Sequence, residues 1–208
     1  FSLHACLSRL GFEIIDCGIV RDTPEDLRRA FTLASQQADV IISSGGVSVG
    51  EADFTKQIME ELGQVGFWKI AMRPGRPMAF GSLKPVSPKT APTVFFGLPG
   101  NPVAVMVTFY QFVRNALLHL NGALNPEIPL VSIQSAEAIR KKSGRTEFQR
   151  GILFRDPEGR LLVKSTGSQG AGILRSMSEA DCFMILHHDQ GNIAPGDWVD
   201  VEIFDGLL

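Results

Sequence analysis

A chain of 208 residues, 44% hydrophobic and 20% charged, has the length and apolar content for one large globular domain or two small ones with a sizeable core. Its formal net charge of -2 gives no basic field for nucleic acid, and no apolar run reaches the roughly 20 unbroken residues that span a bilayer. The longest candidate, Val103 to Leu120, is interrupted by Gln111, Arg114, Asn115 and His119. Cys6, Cys17 and Cys182 lie far apart and include no C-x-x-C pair, so reduced thiols in a cytoplasmic protein are expected rather than a disulfide framework or a zinc site.

Phe1 to Leu10 sets Leu3, Cys6, Leu7 and Leu10 on one helical face, with Gly11 as the stop. Opening on a helix with no initiating Met, the chain reads as a piece of something longer. Phe12 to Cys17 reads as a strand. Thr23-Pro24-Glu25-Asp26 is a helix start, with Thr23 as cap, Pro24 in the first helical position and two acids in the first turn. That helix turns Leu27, Ala30, Phe31 and Ala34 toward a core. Asp39 to Ile42 is then an apolar run of the kind buried in a parallel sheet. It breaks into Ser43-Ser44-Gly45-Gly46-Val47-Ser48-Val49-Gly50-Glu51-Ala52-Asp53, ahead of a helical pattern from Phe54 to Leu62. A strand, a Gly-rich turn and a helix start make a recurrent phosphate-binding geometry, and also a common plain connection.

Gly66 to Met72 is a second apolar strand and ends in Arg73-Pro74-Gly75-Arg76-Pro77, a proline-stiffened turn carrying two guanidinium groups. Such a pair is either an anion clamp or a solvated surface turn. Met78 to Leu83 returns as a strand, and Lys84 to Pro92 is expected to be a mobile, proline-rich extension. Thr93 to Phe96 runs into Gly97-Leu98-Pro99-Gly100-Asn101-Pro102, where Asn101 can cap a helix that begins at Pro102 and stops at Asn121-Gly122. Two such turns at the carboxyl ends of parallel strands would border one crevice. After Asn125 the pattern alternates, with strands at Leu130–Ile133, Phe148–Phe154, Leu161–Lys164, Cys182–Leu186 and Trp198–Ile203. This half reads as a small antiparallel module. Within it, Ser165 to Gly172 is a polar Gly-rich loop with linker, ligand loop and turn all open as readings.

In that order, the Ser43–Asp53 loop, Arg73-Pro74-Gly75-Arg76-Pro77, Gly97-Leu98-Pro99-Gly100-Asn101-Pro102 and Phe148-Gln149-Arg150-Gly151 closely resemble the molybdopterin molybdotransferase family, whose animal relative is gephyrin. The resemblance covers essentially the whole chain. It implies an α/β domain over 1–125, with a mostly parallel sheet, helices on both faces and the first strand missing, then a small β-rich, barrel-like domain over 126–208. It also implies a reaction: adenylylated molybdopterin and molybdate give molybdenum cofactor and AMP, with a divalent metal, usually magnesium.

By the family pattern Asp53 and Asp22 are the acids at the metal; simple helix capping and a turn position are the plain alternatives. Arg73 and Arg76 stand where the family places cations for molybdate, and Arg150 joins them from the β domain. Lys69 matches another family lysine near the site, or is a strand residue facing solvent. Gly45, Gly46 and Ser48 would approach pterin or phosphate, with Gly97, Pro99, Gly100, Asn101 and Pro102 on the facing wall. Ala104 and Ala171 depart from the family, many of whose members carry serine there, which hands the hydroxyl's task to Ser168 or to backbone N–H groups. The family's acidic Thr-Gly-Asp-Glu turn and two N-terminal domains are also absent, so these residues alone are expected to be inactive. A homodimer and a molybdopterin adenylyltransferase partner are implied, with no nucleic acid and no membrane. Two other functions share the fold: adenylyl transfer to molybdopterin, and non-enzymatic scaffolding.

Overall fold

The computed structural model describes residues 2–46, 52–87 and 89–204, without the side chains of Ala52 and Asp53. In chain order the elements are α1 (Ser2–Arg9), α2 (Pro24–Gln37), β1 (Val40–Ser44), α3 (Ala52–Leu62), β2 (Gly63–Lys69), β3 (Met72–Arg73), β4 (Pro77–Leu83) and β5 (Thr93–Leu98). There follow α4 (Pro102–Thr108), a π-helical turn (Phe109–Val113), α5 (Arg114–Leu120), β6 (Leu130–Ser135), β7 (Thr146–Arg155), β8 (Leu161–Ser165), α6 (Arg175–Ser178), β9 (Cys182–Leu186) and β10 (Trp198–Ile203). The chain forms two compact units, one of residues 1–70 and 75–101, the other of residues 71–74 and 102–208.

In the first unit the sheet order is β1-β5-β4-β2. Only β1 and β5 are parallel; β5–β4 and β4–β2 are antiparallel. The sheet is therefore mixed, not mostly parallel. The reason is connection length, since β2 returns to β4 through a short turn closed by the Ile70 N–H on Arg76 O at 2.8 Å. The α2 cap forms as the sequence predicts, with Thr23 Oγ1 accepting from Asp26 N–H and Pro24 in the first helical position. Phe31 from α2, with Ile58 and Met59 from α3, packs on Ile41, Ala79, Leu83 and Phe95 to make the core on one sheet face. Strand alternation puts Phe80 and Trp68 on the opposite face, where both are exposed.

Two expectations fail here. Phe12 to Cys17 forms no strand, because an apolar segment needs a ladder partner and none pairs with it among the described residues. The second strand begins at Gly63 rather than Gly66 and ends at Lys69, with β3 a separate two-residue strand. Within the proline-rich stretch, Lys89 Nζ donates to Ala38 O at 2.7 Å and pairs with Asp39 at 3.2 Å.

The second unit is built on a closed five-stranded barrel, β7-β8-β6-β10-β9, with β9 returning to β7 and β3 added alongside β7. It is not wholly antiparallel, since β6 and β8 run parallel. A closed ring of five strands cannot alternate in direction all the way round, so one parallel pair is unavoidable. β7 belongs to both walls: Glu147 to Gly151 pair with β9, and Gly151 to Arg155 pair with β8. Gly151 is the corner, and a Cβ there would come within 2.8–2.9 Å of Cys182 Sγ, Met184 Cγ and Val163 Cγ2. The barrel interior holds Ile133, Val163, Cys182, Met184, Leu186, Val199 and Val201.

The run Pro102–Leu120 has 19 residues and a mean hydropathy of 1.3, so by length and composition it would suffice to cross a membrane. That exceeds the sequence expectation, but 56% of it is buried within the protein, as in a core helix. Tyr110 stacks on Phe204 and meets the edge of Phe183, which ties this helix to the barrel wall. The π-helical turn includes Gln111, whose Nε2 donates to Glu202 Oε2 on β10 at 2.8 Å. Burial holds the Glu202 carboxyl above its ordinary range, opposed by that hydrogen bond and by Arg114.

Candidate anion-binding site

In the first unit the parallel register aligns Ser43 with Gly97 and Ser44 with Leu98, so the two strand-end turns leave the sheet side by side. Gly45 N–H donates to Leu98 O at 3.0 Å, and a Cβ on Gly100 would lie 3.8 Å from Gly45 Cα. Gly45 and Gly46 have φ of 90° and 70°, a region that favours glycine. The Gly45 N–H is thus already used, leaving Gly46 as the described donor of that turn. Gly97 and Pro99 are buried, while Gly100 and Asn101 are exposed beside them. Ser48 lies outside the described residues. Asp53 has its backbone in α3, but its side chain also lies outside them. Asp22 is exposed just ahead of the Thr23 cap, Lys69 is exposed at the end of β2, and Arg76 is exposed at the turn into β4. Among the described residues no three His, Cys, Asp or Glu side chains converge as a metal would require.

The second unit carries Arg73, Pro102 and Arg150. Alternation along β7 sends Glu147, Gln149 and Gly151 to one face and Phe148 and Arg150 to the other. Arg150 is 1% exposed. Its Nε donates to Ser176 Oγ at 3.0 Å and one terminal nitrogen donates to Gly170 O at 3.2 Å. No carboxylate pairs with it among the described residues. Burial, and after it the charge of Arg73, lower its pKa to about 10. A buried cation without an anion is costly, and this one is charged at neutral pH.

The Gly-rich loop folds around this arginine. Gln169 clasps the Arg150 backbone in both directions, accepting from N–H at 2.8 Å and donating to O at 3.1 Å. Ala171 O accepts the N–H of Val103, at the start of α4. Ala171 is thereby tied through its backbone to the residue that precedes Ala104. Ser168 is exposed on the same loop.

On the other face of β7 a hollow of about 320 Å³ is lined by Arg73, Arg140, Glu137, Gln149, Ser165 and Gln169. Arg73 is aligned with Glu147 in the β3–β7 ladder and lies 3.8 Å from its carboxylate. Sequence reading missed Glu147, Gln149, Arg140 and Gln169. The period-2 pattern around Phe148-Gln149-Arg150-Gly151 holds the signal for Glu147 and Gln149, and Gln169 lies in the Gly-rich loop for which a ligand role is one open reading; Arg140 comes from a loop and leaves none. Chemically this unit offers guanidinium groups, side-chain amides and a Gly-rich loop, the donor set for a compact oxyanion.

The profile described as "Probable molybdopterin binding domain" matches residues 2–119, more than half of the chain. The chain belongs to the molybdopterin-binding domain family. Residues 132–204 match the "MoeA C-terminal region (domain IV)", so the molybdopterin-binding domain is here followed by that region. The chain is 41% identical to a molybdopterin molybdenumtransferase of Haemophilus influenzae, over 100% of this chain and 50% of the relative. It is 33% identical to a gephyrin of Dictyostelium discoideum, over 93% of this chain and 29% of that protein. Among solved structures, a molybdopterin biosynthesis MoeA protein from Pyrococcus horikoshii superposes with a TM-score of 0.72 at 29% identity, covering 98% of this chain and 46% of that one. A molybdenum cofactor biosynthesis protein from Pyrococcus furiosus gives a TM-score of 0.71 at 27% identity, covering 97% and 62%. The chain thus spans about half the length of the first of these relatives and less than a third of the gephyrin.

Proposed function

We propose that the protein carrying this chain is a molybdenum insertase, which moves molybdenum from molybdate onto adenylylated molybdopterin and releases AMP. The observation that carries the proposal is Arg150, a buried guanidinium with no carboxylate partner among the described residues, whose pKa is lowered by burial and by Arg73. Relatives named molybdopterin molybdenumtransferase support the reaction, and the oxyanion supplies the missing negative charge. In this reading Arg73, Arg76 and Arg150 hold molybdate, and the paired turns at Gly46 and Gly97 to Asn101 approach the pterin nucleotide. Catalysis is positioning and charge neutralisation, with no protein nucleophile. Lys69 is assigned to the same anionic ligands.

Magnesium at Asp22 and Asp53 is part of the proposal, supported by the need of phosphoanhydride cleavage for a hard cation. The described side chains include only Asp22 of the two and do not by themselves make a cation site. A homodimer in a reducing compartment, supplied with pterin by an adenylyltransferase, completes the reading. The test is to incubate the intact protein with adenylyl-molybdopterin and molybdate. AMP release that depends on molybdate, and that Asp53→Ala abolishes, supports the proposal. AMP incorporation from ATP would make it an adenylyltransferase instead, and neither reaction would leave a scaffold.

A further inference from the structure

We propose that Glu147 is the built-in counter-charge of the oxyanion site: a buried carboxylate that competes with the incoming anion for Arg73 and so keeps its binding weak enough to release. This rests on the reading of Arg73 as an oxyanion ligand. Glu147 is on β7, and its side chain is only 4% exposed. Oε1 lies 3.8 Å from Arg73 and 3.5 Å from Arg145 Nε, distances of ion pairs rather than of hydrogen bonds. Among the described residues, Gln149 Nε2 donates a hydrogen bond to Oε2 at 3.2 Å. The carboxylate is thus held by a neutral amide and surrounded by cations that do not lock onto it.

The cations themselves are partly exposed. Arg73 and Arg145 side chains are 55% and 42% exposed, so their guanidinium groups sit at the rim, and Arg73 also lines the hollow. Two arginines, Arg73 and Arg145, thus flank one buried carboxylate on the β3–β7 ladder. An arriving oxyanion gains Arg73 but meets the like charge of Glu147 behind it. At the near-aqueous permittivity of an exposed rim, that repulsion of a dianion across several ångströms is worth on the order of tenfold in affinity.

Removing the charge while keeping the shape should therefore tighten binding. A carboxylate that merely braced Arg73 would do the opposite when removed, because a loose arginine binds less well. The experiment is a calorimetric titration of the intact protein with sodium molybdate at several salt concentrations, with thermal melting to check each variant's fold. Glu147→Gln is expected to bind about tenfold tighter and with a steeper salt dependence. Glu147→Asp, which draws the charge back by one methylene, is expected to bind about two- to threefold tighter, and decides the matter alone if the glutamine variant does not fold. Equal or weaker binding by either folded variant overturns the role given to Glu147. Arg73→Ala separates this from the wider reading: a wild-type protein that binds no molybdate, or binds it equally well without Arg73, overturns both.

Discussion

Truncating Gln169 to alanine should loosen the barrel's Gly-rich loop by a predictable amount. Its amide stands in for a neighbouring strand, with bonds of 2.8 and 3.1 Å to the two backbone groups of Arg150. The Arg150 carbonyl keeps a second donor, Thr166 N–H at 3.1 Å, so truncation orphans the N–H alone. Contacts from Nε2 to Thr166 Oγ1 at 3.2 Å and Gly167 O at 3.4 Å are longer and count for little. Two lost bonds at about 1 kcal/mol each, plus the desolvation of a part-buried N–H, less the side-chain entropy recovered, give about 2 kcal/mol. For a chain of this size that is about 4–8 °C in Tm. Thermal melting and amide hydrogen exchange measure it, the Arg150 amide losing most of its protection while the β1–β5 amides of the other unit keep theirs. Ser168→Ala, at an exposed position on the same loop, is the control and should cost under about 0.5 kcal/mol. If Gln169→Ala melts with the wild type and the Arg150 amide stays protected, the clasp holds nothing.

Gly151→Ala should destabilise the barrel by about 1–3 kcal/mol in urea unfolding, because the added methyl meets three fully buried side chains at under 3 Å with no room to yield. Thiol labelling at pH 8 should modify exposed Cys17 quickly and leave Cys182 untouched until the protein unfolds, since burial pushes the Cys182 thiol up to about 12. The sign follows for stability: a folded pKa raised from 9.0 to about 12 gives a contribution that is whole below pH 9 and lost as pH rises toward 12, so Cys182→Ala should flatten the alkaline fall in Tm.

Local chemistry was legible from residues alone. The Thr23-Pro24 start, the stop at Asn121-Gly122 and the five barrel strands follow from caps and alternation, which depend on neighbours a few positions away. The ordered motifs likewise pointed to the family. Partner choice was not legible, because strand pairing depends on which segments meet across long stretches of chain. Thus Phe12 to Cys17 has strand composition but no partner among the described residues, the first sheet is mixed, and ring closure with five strands forces β6 against β8. The motif Phe148-Gln149-Arg150-Gly151 divides in the same way. Sequence marked Arg150, but only the tertiary structure shows that Gly151 serves barrel packing and that Arg150 is buried with no carboxylate partner among the described residues. It alone brings Glu147 beside Arg73, seventy-odd residues away, because two strands can align side chains that no local pattern connects.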